Sequence, residues 1–139
     1  MKLEIFDHAL RRGASHVQYR AVSINRRNAR VTFSQQASEE LNLTTDHTIT
    51  FAKDSDSKCD WYISIKKDEP TGLPVRCHHG GGNAKGYSSL GITCRSLTGA
   101  ILDGLKAKSG ATVLLAQKPT IIDGQEWYQL IMAKPIRIN

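Results

Sequence analysis

The chain has 139 residues, enough for one domain with a real core or for two very small ones. Its 40% hydrophobic and 23% charged residues are those of an ordinary globular protein, and no apolar run approaches the ~20 residues that span a bilayer. The net charge of +6 favours an anionic partner, while Glu4, Asp7 and His8 stand where a signal peptide would carry its apolar core. The expectation is a cytoplasmic protein with no membrane partner.

Charge is laid out in blocks. Residues 1–30 hold seven basic groups against two acidic ones, residues 31–70 hold four against eight, and residues 71–139 hold eight against three. The first block is rich in arginine, the side chain best suited to phosphate and to guanine edges. The three cysteines, Cys59, Cys77 and Cys94, are an odd set without regular spacing, which argues for reduced thiols rather than a disulfide framework.

In chain order, Leu3, Ile5, Phe6, Ala9 and Leu10 recur at helical spacing, and Gly13 ends a short helix. Val17 to Ile24 alternates as a strand, Asn25 to Asn28 reads as a turn, and Ala29 to Phe33 as a second strand. Ser34 is placed to cap a two-turn helix ending near Asn42. Thr48 to Ala52 and Trp61 to Ile65 are strands either side of a polar loop, Asp54 to Asp60. Residues 66–89 carry Pro70, Gly72, Pro74, Gly80-Gly81-Gly82 and Gly86, which predicts a linker or loop with a short pairing segment at Leu73–Arg76. The order then returns: an extended run over Leu90–Leu97, a cap at Thr98, a helix over Ala100–Leu105, a strand at Thr112–Ala116, a polar loop, and a strand at Trp127–Ile131.

An offset of 64 lays Ser34 on Thr98, Leu41 on Leu105, Thr48 on Thr112 and Phe51 on Leu115. After a two-residue insertion, Asp60-Trp61-Tyr62 meets Glu126-Trp127-Tyr128, and these are the chain's two tryptophans. This pattern predicts an internal repeat. Each copy is too small to bury its apolar faces alone, so the expected fold class is β-rich α+β: two hairpin/short-helix/strand units forming a small pseudo-twofold barrel. The expected organisation is an N-terminal helical segment (1–16), a first unit (17–65), a linker (66–89) and a second unit (90–139).

The first unit resembles the AbrB/SpoVT family of DNA-binding proteins, whose relatives include MazE-type antitoxins. Ala29-Arg30-Val31-Thr32-Phe33-Ser34 stands at that family's Gly-Arg-Val-x-Ile-Pro step, Leu41-Asn42-Leu43 at its Leu-Gly-Ile, and Asp46-His47-Thr48-Ile49-Thr50-Phe51 at its Gly-Asp turn and strand. Ala29, Ser34 and Asp46-His47 depart from the pattern. The resemblance covers about 30–45 residues and implies a swapped-hairpin barrel that grips duplex DNA with a basic edge near the first turn.

That turn gathers Asn25, Arg26, Arg27, Asn28 and Arg30, with Arg20 one strand earlier; these six are the expected DNA contacts, supplying guanidinium forks and amides for phosphates and base edges. Arg11 and Arg12 extend the patch from the N-terminal segment. Cys77-His78-His79 lacks the spacing of a metal site, and Gly80–Gly86 lacks the Lys-Ser or Lys-Thr of a P-loop. No nucleophile–base or paired-carboxylate motif stands out, so no enzyme, cofactor or metal is expected. Trp61, Tyr62, Trp127 and Tyr128 read as core and rim. The expected function is a DNA-binding transcriptional regulator or antitoxin-like factor. The alternative is a non-catalytic protein–protein or assembly module of a mobile element or phage, with a protein partner or a second copy of the chain.

Overall fold

The computed structural model describes residues 19–56, 60–79 and 88–139. The expected N-terminal helix, Arg11, Arg12, Cys59 and the Gly80–Gly86 segment lie outside the described residues.

The first hairpin joins β1 (Ala21–Asn25) to β2 (Arg30–Phe33), with Ile24 opposite Val31 and Asn25 opposite Arg30. Alternation decides its faces: Val22, Ile24, Val31 and Phe33 are buried, while Ser23 and Asn25 are exposed. Ser34 caps α1 (Gln35–Glu40) as expected, its Oγ accepting from the Ala37 N–H at 3.1 Å. The helix closes with Asn42 in the left-handed region (φ 52°), which lets the Leu43 N–H reach the Ser38 carbonyl at 2.9 Å and buries Leu43. The hairpin of β3 (His47–Lys53) and β4 (Trp61–Lys67) follows, in register from His47–Lys67 to Lys53–Trp61.

In the stretch read as linker or loop, the pairing expected at Leu73–Arg76 is present, and strand structure also extends beyond it. The stretch holds β5 (Leu73–Pro74), β6 (Arg76–His79) and the first residues of β7 (Ser88–Thr93). Glycine and proline density suggested irregular backbone there, but the pairing partners are distant in sequence. Leu73 pairs with Ile49, the Val75 N–H donates to the His47 carbonyl at 3.1 Å, and Cys77 pairs with Leu90.

A second difference lies at α2 (Arg95–Leu105). The extended run stops at Thr93, because the Cys94 N–H donates to the Ala29 carbonyl at 2.8 Å and turns the chain into the helix. Thr98 is therefore inside the helix, buried, with its hydroxyl donating to the Arg95 carbonyl at 3.0 Å, and it is not the cap. The polar loop expected after β8 (Gly110–Leu115) contains β9 (Thr120–Ile122), which forms a hairpin with β10 (Gln125–Ile131). Asp123 and Gly124, both at positive φ (52° and 77°), form its turn, the Asp-Gly signature of a tight hairpin. A short β11 (Arg137–Ile138) adds to β8.

All neighbours in the sheet are antiparallel, in the order β5-β3-β4-β10-β8-β1-β2-β7-β6. Because β5 and β6 are separated only by Val75, one kinked segment pairs with both ends of the row and the sheet becomes a nearly closed barrel. Closure leaves few free strand edges. Val22, Val31, Phe33, Ile49, Ile63, Ile92, Val113 and Leu130 fill the interior, joined by Ile101 and Leu102 of α2. At about 1.5–3 kcal/mol for each buried side chain, this single cluster is the main source of stability.

Candidate nucleic-acid interface

The tip of the β1–β2 hairpin is shaped by Asn25. Its Oδ1 accepts from the backbone N–H of Arg27 at 2.9 Å and of Asn28 at 3.3 Å, an Asx turn that holds the loop open. The last loop residue, Ala29, is buried and left-handed (φ 58°), a conformation that glycine adopts without strain.

The six expected contact residues separate into three groups. Arg27 and Asn28 are exposed at the tip, and Arg30 is half-buried at the start of β2. Arg26 is committed elsewhere: its guanidinium donates to the carbonyls of Lys108 (2.9 Å) and Ala107 (3.1 Å) and to Asp103 (2.9 Å), at the negative end of α2. Asn25 shapes the turn. Arg20 is buried, with two hydrogen bonds to the Ala116 carbonyl (2.9 and 3.1 Å), Glu40 at 3.5 Å and the Tyr128 ring centroid at 5.3 Å. It is not part of an exposed patch; the Ala116 carbonyl that follows β8 and the Glu40 carboxylate satisfy the guanidinium in its buried place.

The barrel supplies basic residues that sequence reasoning did not select. Strand pairings place Arg137, Thr112, Ser23, Thr32, Gly91 and Arg76 in one row across β11, β8, β1, β2, β7 and β6. Arg76 and Arg137 are exposed at its ends, five strand spacings apart around the barrel wall, an arc of roughly 24 Å at about 4.8 Å each. The middle carries only hydroxyls and a glycine, with Ser23 and Thr112 hydrogen-bonded at 3.0 Å. None of these six strands contains an Asp or Glu. Among the described residues, Arg27, Arg76 and Arg137 have no carboxylate partner.

His78 sits beside this row. It is buried, its Nδ1 has no hydrogen-bond partner among the described residues, and its Nε2 lies 3.5 Å from the Thr93 hydroxyl. Burial, and then the Arg30 guanidinium, lower its pKa below the usual 6.5. Among the described residues, no group of three His, Cys, Asp or Glu side chains converges as a metal site, and no helix is long and apolar enough to cross a membrane. The two tryptophans differ: Trp61 is in the core, whereas Trp127 is half-buried on the outside of the barrel. Comparison with protein-family models, with curated proteins and with solved structures gave no match.

Proposed function

We propose that this chain binds duplex DNA through the β1–β2 hairpin tip and the adjoining strands that carry no Asp or Glu, as a regulatory, antitoxin-like factor. The observation that carries the reading is charge segregation. Exposed Arg27, Arg76 and Arg137 with half-buried Arg30 border one continuous set of strands that has no acidic side chain. Such a surface attracts a polyanion, its guanidiniums displace counterions from phosphates, and the hydroxyl row offers further donors. Asn28 at the tip is a candidate for reading a base edge.

The same reading takes the barrel as two interleaved hairpin units in one chain. The β2–β7 register supports it, with Val31 paired to Ile92 at its centre; in the β4–β10 contact Tyr62 pairs with Gln129 and Ile63 with Tyr128, so the matched Tyr62 and Tyr128 face opposite sides of the sheet. The hairpin strand β1 pairs with β8 from the other half, as β5 pairs with β3. Under this correspondence β2 matches β7 at an offset of 61, which removes the poor fit of Val31 with Arg95 at 64.

A mobility shift on random duplex DNA across a salt series tests the function. Replacing Arg27 and Arg30 with Ala is expected to reduce the slope of log affinity against log salt by about 1.8, at ~0.9 per phosphate contact. Unchanged affinity and slope would reject the hairpin as the contact, and no binding by the wild type at low salt would reject DNA binding.

A further inference from the structure

Opposite the β2–β7 contact in the strand order lies the β4–β10 contact, and the outer surface there has a different character. Tyr62 of β4, Trp127 of β10 and Ile122 of β9 line a groove of about 450 Å³, open to solvent. Lys53, Asp54 and Asp123 border it. Its size lies within the usual ~300–1,000 Å³ of ligand sites. Ile122 remains 42% exposed and Trp127 is half-buried, so apolar and aromatic surface stays in water here although the barrel has a complete core elsewhere. Two aromatic side chains beside two carboxylates suit a cation: ring faces attract it through their quadrupoles, and the carboxylates neutralise it. The exposed Asp56 in the adjoining turn adds to the negative margin, and Lys53 is the one cation among the described lining residues. Nucleic acid is disfavoured at this groove by the same charges.

We propose that this groove binds a basic segment of a partner protein, with an Arg or Lys side chain held against Tyr62 and Trp127 and an apolar neighbour resting on Ile122. Charge complementarity selects that occupant. The site is independent of the DNA contacts, which lie on the other side of the barrel, so either surface can fail its test without affecting the other.

Trp127 provides the probe, because Trp61 is buried in the core. The full chain is titrated with a synthetic peptide alternating Arg with Leu, and with the same peptide carrying Glu for Arg, while tryptophan emission is followed. The Arg peptide is expected to change the emission saturably, at least tenfold more tightly than the Glu peptide. Affinity should fall at least fivefold in Ile122→Ser and in the double variant Asp54→Asn with Asp123→Asn. Trp127→Phe should abolish the signal, and unchanged circular dichroism would show that the variants fold. Equal binding of the two peptides, or Arg-peptide binding unaffected by Ile122→Ser and by the Asn pair, would overturn the proposal. Saturable quenching by a single-stranded oligonucleotide that the Asn pair strengthens would overturn it in favour of a base-stacking groove. Concentration-dependent self-association in sedimentation, lost in Ile122→Ser, would replace the partner peptide with a second copy of this chain.

Discussion

Arg26 at the hairpin tip and Asp103 in the last turn of α2 meet at 2.9 Å, tying the first loop of the barrel to a helix nearly eighty residues away. Asp103 is 75% exposed, so the ion pair itself contributes little; the stronger part is the pair of bonds from Arg26 to the Ala107 and Lys108 carbonyls. Arg26→Ala is therefore expected to destabilise by about 1–2 kcal/mol and Asp103→Asn by less than about 0.5 kcal/mol. Urea denaturation of the two variants beside the wild type measures the difference. Equal effects would show that the carboxylate, and not the helix end, is the anchor.

Two left-handed residues differ in their expected response to glycine. Lys106 ends α2 at φ 58° and is exposed, so Lys106→Gly relieves backbone strain with no packing lost. A gain of about 1 kcal/mol is expected, raising the melting temperature by roughly 3–5 °C. Ala29 has the same φ but a buried methyl, so the strain relieved in Ala29→Gly is offset by lost contact and the net change should stay within about 0.5 kcal/mol. Thermal melts of both variants separate backbone strain from packing.

Gly91 has no room for a side chain. A methyl placed there would lie 2.2 Å from the Val31 carbonyl oxygen and 3.0 Å from the His78 ring. Gly91→Ala must push β7 away from β2 and is expected to cost more than about 3 kcal/mol, leaving little folded protein at 37 °C. Circular dichroism and proteolysis would detect it; a near-wild-type melt would mean that the β2–β7 contact yields more easily than its packing indicates.

Folding should weaken in mild acid through His78. Its pKa is lowered in the folded state, first by burial and then by Arg30, so the unfolded chain takes up the proton first as pH falls. The contribution to stability is complete above the unfolded value near 6.5 and is lost as pH drops below it toward the folded value. His78→Leu is expected to flatten the change in melting temperature between pH 8 and pH 5, and Arg30→Ala to reduce it in part. An unaltered pH profile in His78→Leu would assign the acid sensitivity to other groups.

Local signals were enough for much of the fold. The alternation of Val22 and Ile24 with polar neighbours, the Ser34 cap and the Trp61 and Trp127 strands were all legible, because period and capping chemistry act within a few residues. The Asp123-Gly124 turn was equally local and went unread beneath a polar loop. The linker reading of 66–89 shows the limit of composition: the pairing expected at Leu73–Arg76 is present, but Cys77 and His78, beside the glycine-rich run, also pair with β7, a contact that no local signal announces.

By itself the sequence determined a β-rich chain of hairpins and two short helices, an arginine-rich first turn and a basic excess. Those properties follow from propensity, periodicity and charge, which are local or additive. Only the tertiary structure decided which cations are available. It buried Arg20 against the Ala116 carbonyl, bound Arg26 to the end of α2, and left Arg27 exposed. It also brought Arg76 and Arg137 into line with Ser23 through pairings that span the chain. A guanidinium's role depends on which carbonyl or carboxylate lies within about 3 Å, and long-range strand register sets that distance.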